Sequence, residues 1–437
     1  AYIRIWNPKK EKRCNAFNPQ TGVCAMKIAL RTKLPGTKSK RILDGMKKKS
    51  GAYNIDHEYV HSGDGKGSHF VDIDGNTFLD FAAQIASNPL GYNNSSLLKV
   101  LQTHSTHTPI KYGGQDFIIP EHLNLLEELL KIVPREMNAA FLINSGAEAN
   151  ENALKIACHK RPTAKIGISF YNGWHGRTTG ALSLTNSRSV QVKHFLRLPI
   201  RHISYDENGP VELEELIRRE FDADEIGFVI MEGVQGEGGY IPASTPLVKG
   251  IRKVTKKEGI PLIFDEVQAG MGRTGKWWTY QHHGITPDIQ TCAKMLQVAA
   301  TVSNKKWFPP EKSAISSTWG GGQVLDLAMG AAVIREIKKK KLLKNAQRMG
   351  NEINQRMKEI HVETNTIHHP RGLGLMQAFD LKDVKTRNHM QQKLFQNGLI
   401  MLGCGISGMR ISPSLNITKE EVHEGMNVIE KVAREMR

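Results

Sequence analysis

Between residues 140 and 292, short apolar runs alternate with stretches of helical spacing. No other feature of the chain restricts its fold as strongly. The runs are 140–143, 166–170, 228–231, 262–264 and 289–292. Each is too short for a helix, and most are rich in the β-branched and aromatic residues of strands. Residues 149–158, 211–221 and 244–258, which lie between them, repeat apolar residues at helical intervals. This alternation predicts an α/β fold with a mostly parallel sheet covered by helices. Ligands of such sheets bind beyond the carboxyl ends of the strands. The residues just after each run are therefore where chemistry is expected.

The flanks read differently. Residues 69–81 alternate apolar and polar around Asp74-Gly75-Asn76, which predicts a β-hairpin. Helices are expected at 38–46 and 121–133. A long helical stretch at 325–360 precedes hairpin-like and helical segments, which predicts a smaller α/β C-terminal domain. The expected organisation is a basic extension at 1–34, a segment at 35–95 contributing to the small domain, a large domain at 96–330 and the small domain at 331–437.

Composition matters mainly through where the charge lies. The chain carries +17, but residues 1–50 hold 14 Lys and Arg against 2 acidic residues, leaving +5 for the remaining 387. The basic character belongs to one end, so a nucleic-acid partner is not expected for the body. RNA or anionic-surface binding by residues 1–50 stays open as an additional role. No apolar run approaches the roughly 20 residues that cross a bilayer, so no membrane partner is expected. The cysteines (Cys14, Cys24, Cys158, Cys292 and Cys404) are odd in number and lack metal-ligand spacing. A reduced, cytoplasmic protein without a metal site is the expectation.

Four motifs follow the apolar runs. Asn144-Ser145-Gly146-Ala147-Glu148 follows a strand and opens a helix, where small residues and free amides suit a phosphate. Asn172-Gly173-Trp174-His175-Gly176-Arg177 offers an aromatic plate for a planar ring and a guanidinium for a carboxylate. Asp265, ending a buried strand, needs a cationic partner. Lys294 ends the next strand, where partial desolvation lowers an amine's pKa and suits it to Schiff-base chemistry. Alone, these motifs could equally be a tight turn, a core tryptophan, a structural salt bridge and a solvated strand end. Together they supply what pyridoxal 5′-phosphate requires.

The chain resembles the class III (subgroup II) pyridoxal-phosphate aminotransferases of fold type I over roughly residues 35–437. Residues 261–276 (PLIFDEVQAGMGRTGK) are similar to the family's signature. Residues 84–89, 150–155 and 402–405 resemble the 4-aminobutyrate enzymes. Residues 181–186, 297–298 and 317–321 resemble the lysine 6-aminotransferases.

The resemblance implies roles. Gly146 and Ala147 would bind the cofactor phosphate through backbone amides, and Trp174 would stack on the ring. Asp265 would hold the ring nitrogen protonated, Gln268 would bond the 3′-oxygen, and Lys294 would form the Schiff base. Thr318 would reach the phosphate of a neighbouring subunit, implying a homodimer with shared sites. Arg177 would bind the carboxylate distal to the reacting amine, and Arg410 the α-carboxylate. Glu237 would cover Arg410 for ω-amino donors and release it for 2-oxoglutarate. Ile85, with Gln84 and Gln297, would shape the far end of the pocket. Two departures stand out: Glu232-Gly233 where the family usually has Glu-Pro, and 295–300 where many members have a glycine run.

The expected activity is ping-pong transfer of the terminal amino group of 4-aminobutyrate, or a similar ω-amino acid, to 2-oxoglutarate. Lysine 6-aminotransfer and a racemase on the same scaffold are the alternatives.

Overall fold

A computed structural model describes residues 26–105, 117–315, 321 and 323–437. Strands β1 (His61–Lys66), β2 (His69–Asp72) and β3 (Thr77–Asp80) form an antiparallel meander. β2 and β3 are the predicted hairpin, with His69 opposite Leu79. Gly75 in its turn has φ +87°, a conformation open to glycine at little cost. The expected helix at 38–46 extends over Thr37–Lys49.

The second sheet contains β4 (Ala139–Ile143), β5 (Ile166–Phe170), β6 (Ile200–Ile203) and β7 (Ile226–Glu232). A short ribbon of β8 (Val234–Gln235) and β9 (Ile241–Pro242) follows. The sheet continues with β10 (Leu262–Asp265), β11 (Ile289–Cys292) and β12 (Ala299–Ser303). The order is β4-β12-β11-β10-β7-β5-β6. Every residue of β7, β10 and β11 is buried, as expected for parallel strands covered on both faces. Helices Gly146–His159, Gly209–Arg219 and Thr245–Lys257 stand where helical spacing predicted them.

Two elements depart from the sequence reading. β12 runs antiparallel to both β11 and β4. After Lys294 the chain turns back through Gln297, at φ +68°, and the small residues Ala299 and Ala300 let it insert between two neighbours. The stretch expected at 325–360 is two helices, Val324–Lys339 and Leu342–Thr364. Residues 338–341 are four lysines with no apolar side chain to bury. Lys341 takes φ +54° and ends the first helix before Leu342 re-enters the core.

Four C-terminal strands form an antiparallel sheet in the order β13 (His368–Leu373), β14 (Met376–Asp380), β17 (Gly408–Ile411) and β16 (Leu402–Cys404). β15 (Leu399–Ile400) instead pairs in parallel with β3. The N-terminal meander and the C-terminal region thus share a sheet. Among the described residues, no helix is long and apolar enough to cross a membrane.

Candidate active site

Six strands of the central sheet point the same way, and the carboxyl ends of five of them, β4, β5, β7, β10 and β11, with the segments that follow, enclose one cavity of about 370 Å³. Its wall includes Gly146, Ala147, Trp174, Asp265, Gln268 and Lys294. Six sequence-predicted residues, drawn from positions almost 150 apart, therefore meet at the carboxyl edge of the sheet.

Ser145 caps the helix that follows β4. Its Oγ accepts from the Glu148 amide at 3.3 Å, and Glu148 Oε2 accepts from the Ser145 amide at 2.9 Å. This capping box uses the amide of Glu148, while those of Gly146 and Ala147 sit in a first turn with no intrahelical acceptor. A Cβ on Gly146 would stand 2.7 Å from Val267 Cγ1, so glycine is needed for the approach of helix to strand end.

Asp265 ends β10 in a closed network. Its Oδ2 lies 2.8 Å from His175 Nδ1 and accepts from Asn150 Nδ2 at 2.9 Å. Its Oδ1 accepts from the Val267 amide at 3.0 Å. Asn150 also donates to the His175 carbonyl at 2.7 Å and accepts from Thr291 Oγ1 at 2.7 Å. A buried carboxylate with these partners is fixed in place.

Glu232, at the end of β7, bridges two loops. It accepts from the Trp174 amide and from the Gly236 amide, both at 2.9 Å. Burial pushes its carboxyl up to about 7, with the charge of His175 opposing and that of Asp265 adding. Asn150, His175 and Glu232 are polar residues of the site to which sequence reasoning gave no role. For Asn150 and Glu232 the one available signal was a hydrophilic side chain on an otherwise buried helix face or strand.

Lys294 follows β11 at φ +46°. Its Nζ donates to the Ile85 carbonyl at 3.2 Å. Ile85 lies in a left-handed turn, Ala83 to Ala86, with φ between 43° and 60°. Such angles are costly for residues with a Cβ and cluster at functional sites. Burial, then the charge of Arg410, lowers the Lys294 amine from 10.5 to about 8.

On the far side, β17 delivers Arg410, whose Nη1 donates to Glu237 Oε1 at 2.6 Å. Its guanidinium also lies 5.9 Å from the Tyr240 ring centre. Burial raises the Glu237 carboxyl, but the charge and hydrogen bond of Arg410, with Arg188 and Lys294, outweigh it and hold the group low. Arg177 is exposed and sits over the Trp174 ring at 5.2 Å. It is not part of the cavity wall. Thr318 lies outside the described residues.

The sequence model described as aminotransferase class-III matches residues 52–433. An acetylornithine aminotransferase from Archaeoglobus fulgidus is 35% identical, covering 84% of this chain and 93% of its own. A 4-aminobutyrate aminotransferase from Dictyostelium discoideum is 29% identical, covering 93% of this chain and 91% of its own. In structure, a lysine aminotransferase from M. tuberculosis superposes with a TM-score of 0.85 at 23% identity, covering 91% of this chain and all of that one.

The chain belongs to the class-III aminotransferase family, and it is a pyridoxal-phosphate-dependent transaminase with the corresponding fold. The relatives named as aminotransferases support transamination over the racemase alternative. The cavity fits the cofactor. Its wall presents a lysine with a lowered pKa, a fixed carboxylate, amides at a helix start and a Gln268 Oε1 that is buried without a partner among the described residues. Such an orphaned amide oxygen in a native structure calls for a missing partner.

Proposed function

We propose that this transaminase takes the terminal amino group of an ω-amino acid, with 4-aminobutyrate as the preferred donor, and delivers it to 2-oxoglutarate. The products are a semialdehyde and L-glutamate, formed in a ping-pong sequence. The observation that carries this reading is the Glu237–Arg410 pair beside Lys294. One pocket must accept a donor with no carboxylate on the reacting carbon, then an acceptor that has one. An arginine left bare in a dry site is costly. Glu237 covers Arg410 in the first case and uncovers it in the second.

The bound cofactor supplies an electron-accepting ring that stabilises negative charge on the substrate carbon. Asp265 would hold a proton at the ring nitrogen, and His175 and Asn150 hold Asp265. Trp174 would pack against the ring, Gln268, whose Oε1 has no partner among the described residues, would hydrogen-bond the ring hydroxyl, and Gly146 and Ala147 would turn their amides to the phosphate. Lys294 Nζ would take the proton from the amine-bearing carbon and hold it for return, acting as base and then as acid. Arg177, over Trp174, receives the carboxylate distal to the reacting amine. Ile85 offers its carbonyl to Lys294 and its side chain to the donor.

A homodimer completes the reading, with Thr318 reaching a neighbouring copy's phosphate, as does a cytoplasmic location. So does a division in which 96–330 carries the cofactor and 331–437, with 35–95, carries Arg410.

A second reading takes N-acetyl-L-ornithine as donor. Its support is the 35% identity to an acetylornithine aminotransferase. L-Lysine is the third candidate. All three present a primary amine on an unbranched carbon and a distal carboxylate.

The test is kcat/KM for the three donors with 2-oxoglutarate as acceptor. The reading expects 4-aminobutyrate to lead. A preference for N-acetyl-L-ornithine above about tenfold, the scale that one pocket contact provides, would replace it.

A further inference from the structure

Glu237 stands between two guanidinium groups. Its Oε1 is 2.6 Å from Arg410 Nη1, and its Oε2 is 3.9 Å from Arg188 Nη2. The arginines differ in solvation: the Arg410 side chain is 7% exposed and that of Arg188 41%. Among the described residues, Glu237 is the one ion-pair partner of Arg188. A third cation, Arg387 of helix Val384–Gln396, is close enough for burial and the charge of Arg188 to depress its pKa. It lies over β16 in space that only glycine leaves, since a Cβ on Gly403 would be 2.2 Å from Arg387 Nη1.

The following inference rests on Glu237 being the movable cover of Arg410. When an α-carboxylate takes Arg410, Glu237 must leave a half-buried ion pair, and attraction lost there is large because the dielectric is low. A second cation within reach of a side-chain rotation turns that loss into an exchange. We propose that Arg188 is the second seat of Glu237, a positioning residue that holds the carboxylate off Arg410 while an α-carboxylate occupies it. Arg387 adds positive charge behind that seat. Arg188 is more exposed and more screened than Arg410, so the second seat is the weaker one. Glu237 returns to Arg410 when the α-carboxylate departs.

Half-reactions of the holoenzyme, followed by the absorbance of bound pyridoxal phosphate, separate the seats. L-Glutamate needs Arg410 free. 4-Aminobutyrate does not, nor does N-acetyl-L-ornithine should that prove the donor. Arg188→Gln is expected to raise the L-glutamate concentration for half-conversion about fivefold, the scale of a partly exposed ion pair, and that of the donor by less than about twofold. Arg188→Lys restores most of the loss. In a Glu237→Gln background Arg188→Gln has no further effect, because the carboxylate it seats is gone.

An equal loss in that background would mean that Arg188 touches substrate directly, and the proposal fails. A selective effect of Glu237→Gln with none from Arg188→Gln overturns the second seat and leaves the gate standing. If Glu237→Gln alone does not change the L-glutamate to donor ratio, the gate reading itself is wrong and the proposal goes with it.

Discussion

The charges of Asp265 and Glu237 both act on the Lys294 amine, and the two carboxylates are held in opposite ways. Asp265 is 5% exposed and takes hydrogen bonds from His175, Asn150 and the Val267 amide. Its supports are themselves supported, by Thr291 behind Asn150 and by Thr185 Oγ1, which accepts from the His175 amide. Glu237 is 16% exposed and is held by side chains alone, with Arg410 close and Arg188 at the edge of contact. Arg410 Nε has no partner among the described residues. The difference separates two tasks. The group that tunes the ring is locked by a network, while the group that selects substrates keeps somewhere to go.

The variants below break or sharpen that contrast. Lys294→Ala removes the amine on which both carboxylates act, and kcat with 2-oxoglutarate is expected to fall by up to about 10⁴-fold. Asp265→Asn keeps the shape and loses the charge, and a fall of about 10²–10³-fold in kcat is expected, the scale of one lost electrostatic contact in a dry site. It should affect every donor alike. Asn150→Ala removes a support of the locked side. It is expected to lower stability by about 1–3 kcal/mol in denaturant unfolding, with kcat reduced and donor preference unchanged.

The lowered Lys294 pKa gives a pH prediction. Only the unprotonated amine attacks an aldehyde. The amine is held near about 8 rather than 10.5, so it is protonated below that pH and neutral above it. The rate at which cofactor-free protein takes up pyridoxal phosphate should rise about tenfold per pH unit below that value and then level off. A rate still climbing toward 10.5 would mean the lysine is not buried as described. Glu237→Gln has the smallest effect and the sharpest meaning. It is expected to shift the ratio of L-glutamate to donor reactivity about fivefold while barely changing kcat with a saturating donor.

Much of the locked side was legible in the sequence. Asp265 and Lys294 each end an apolar run, and a charged residue at such a place needs a reason. Gly146 and Ala147 were visible because a strand turns directly into a capped helix. The supports were not visible, because Asn150 and Glu232 act through partners distant in the chain and no local pattern marks them. β12 was missed because small residues after Lys294 carry little strand signal. The helix break at Lys341 was hidden by apolar residues on both sides that continue a helical pattern. The movable side was legible only through resemblance: Glu237 and Arg410 are 173 positions apart, and neither has a local signature. The distance between Arg188 and Glu237 could come only from the fold.

The central claim is that one cavity accepts an amine with no carboxylate on the reacting carbon and then accepts 2-oxoglutarate. An absorbance titration of the holoenzyme tests it most directly. The visible band of bound pyridoxal phosphate should disappear on adding 4-aminobutyrate and return on adding 2-oxoglutarate, with L-glutamate released. A band that L-glutamate bleaches, but that 4-aminobutyrate, N-acetyl-L-ornithine and L-lysine all leave intact, would contradict the account. Arg410 would then be open at all times, and Glu237 would be no gate.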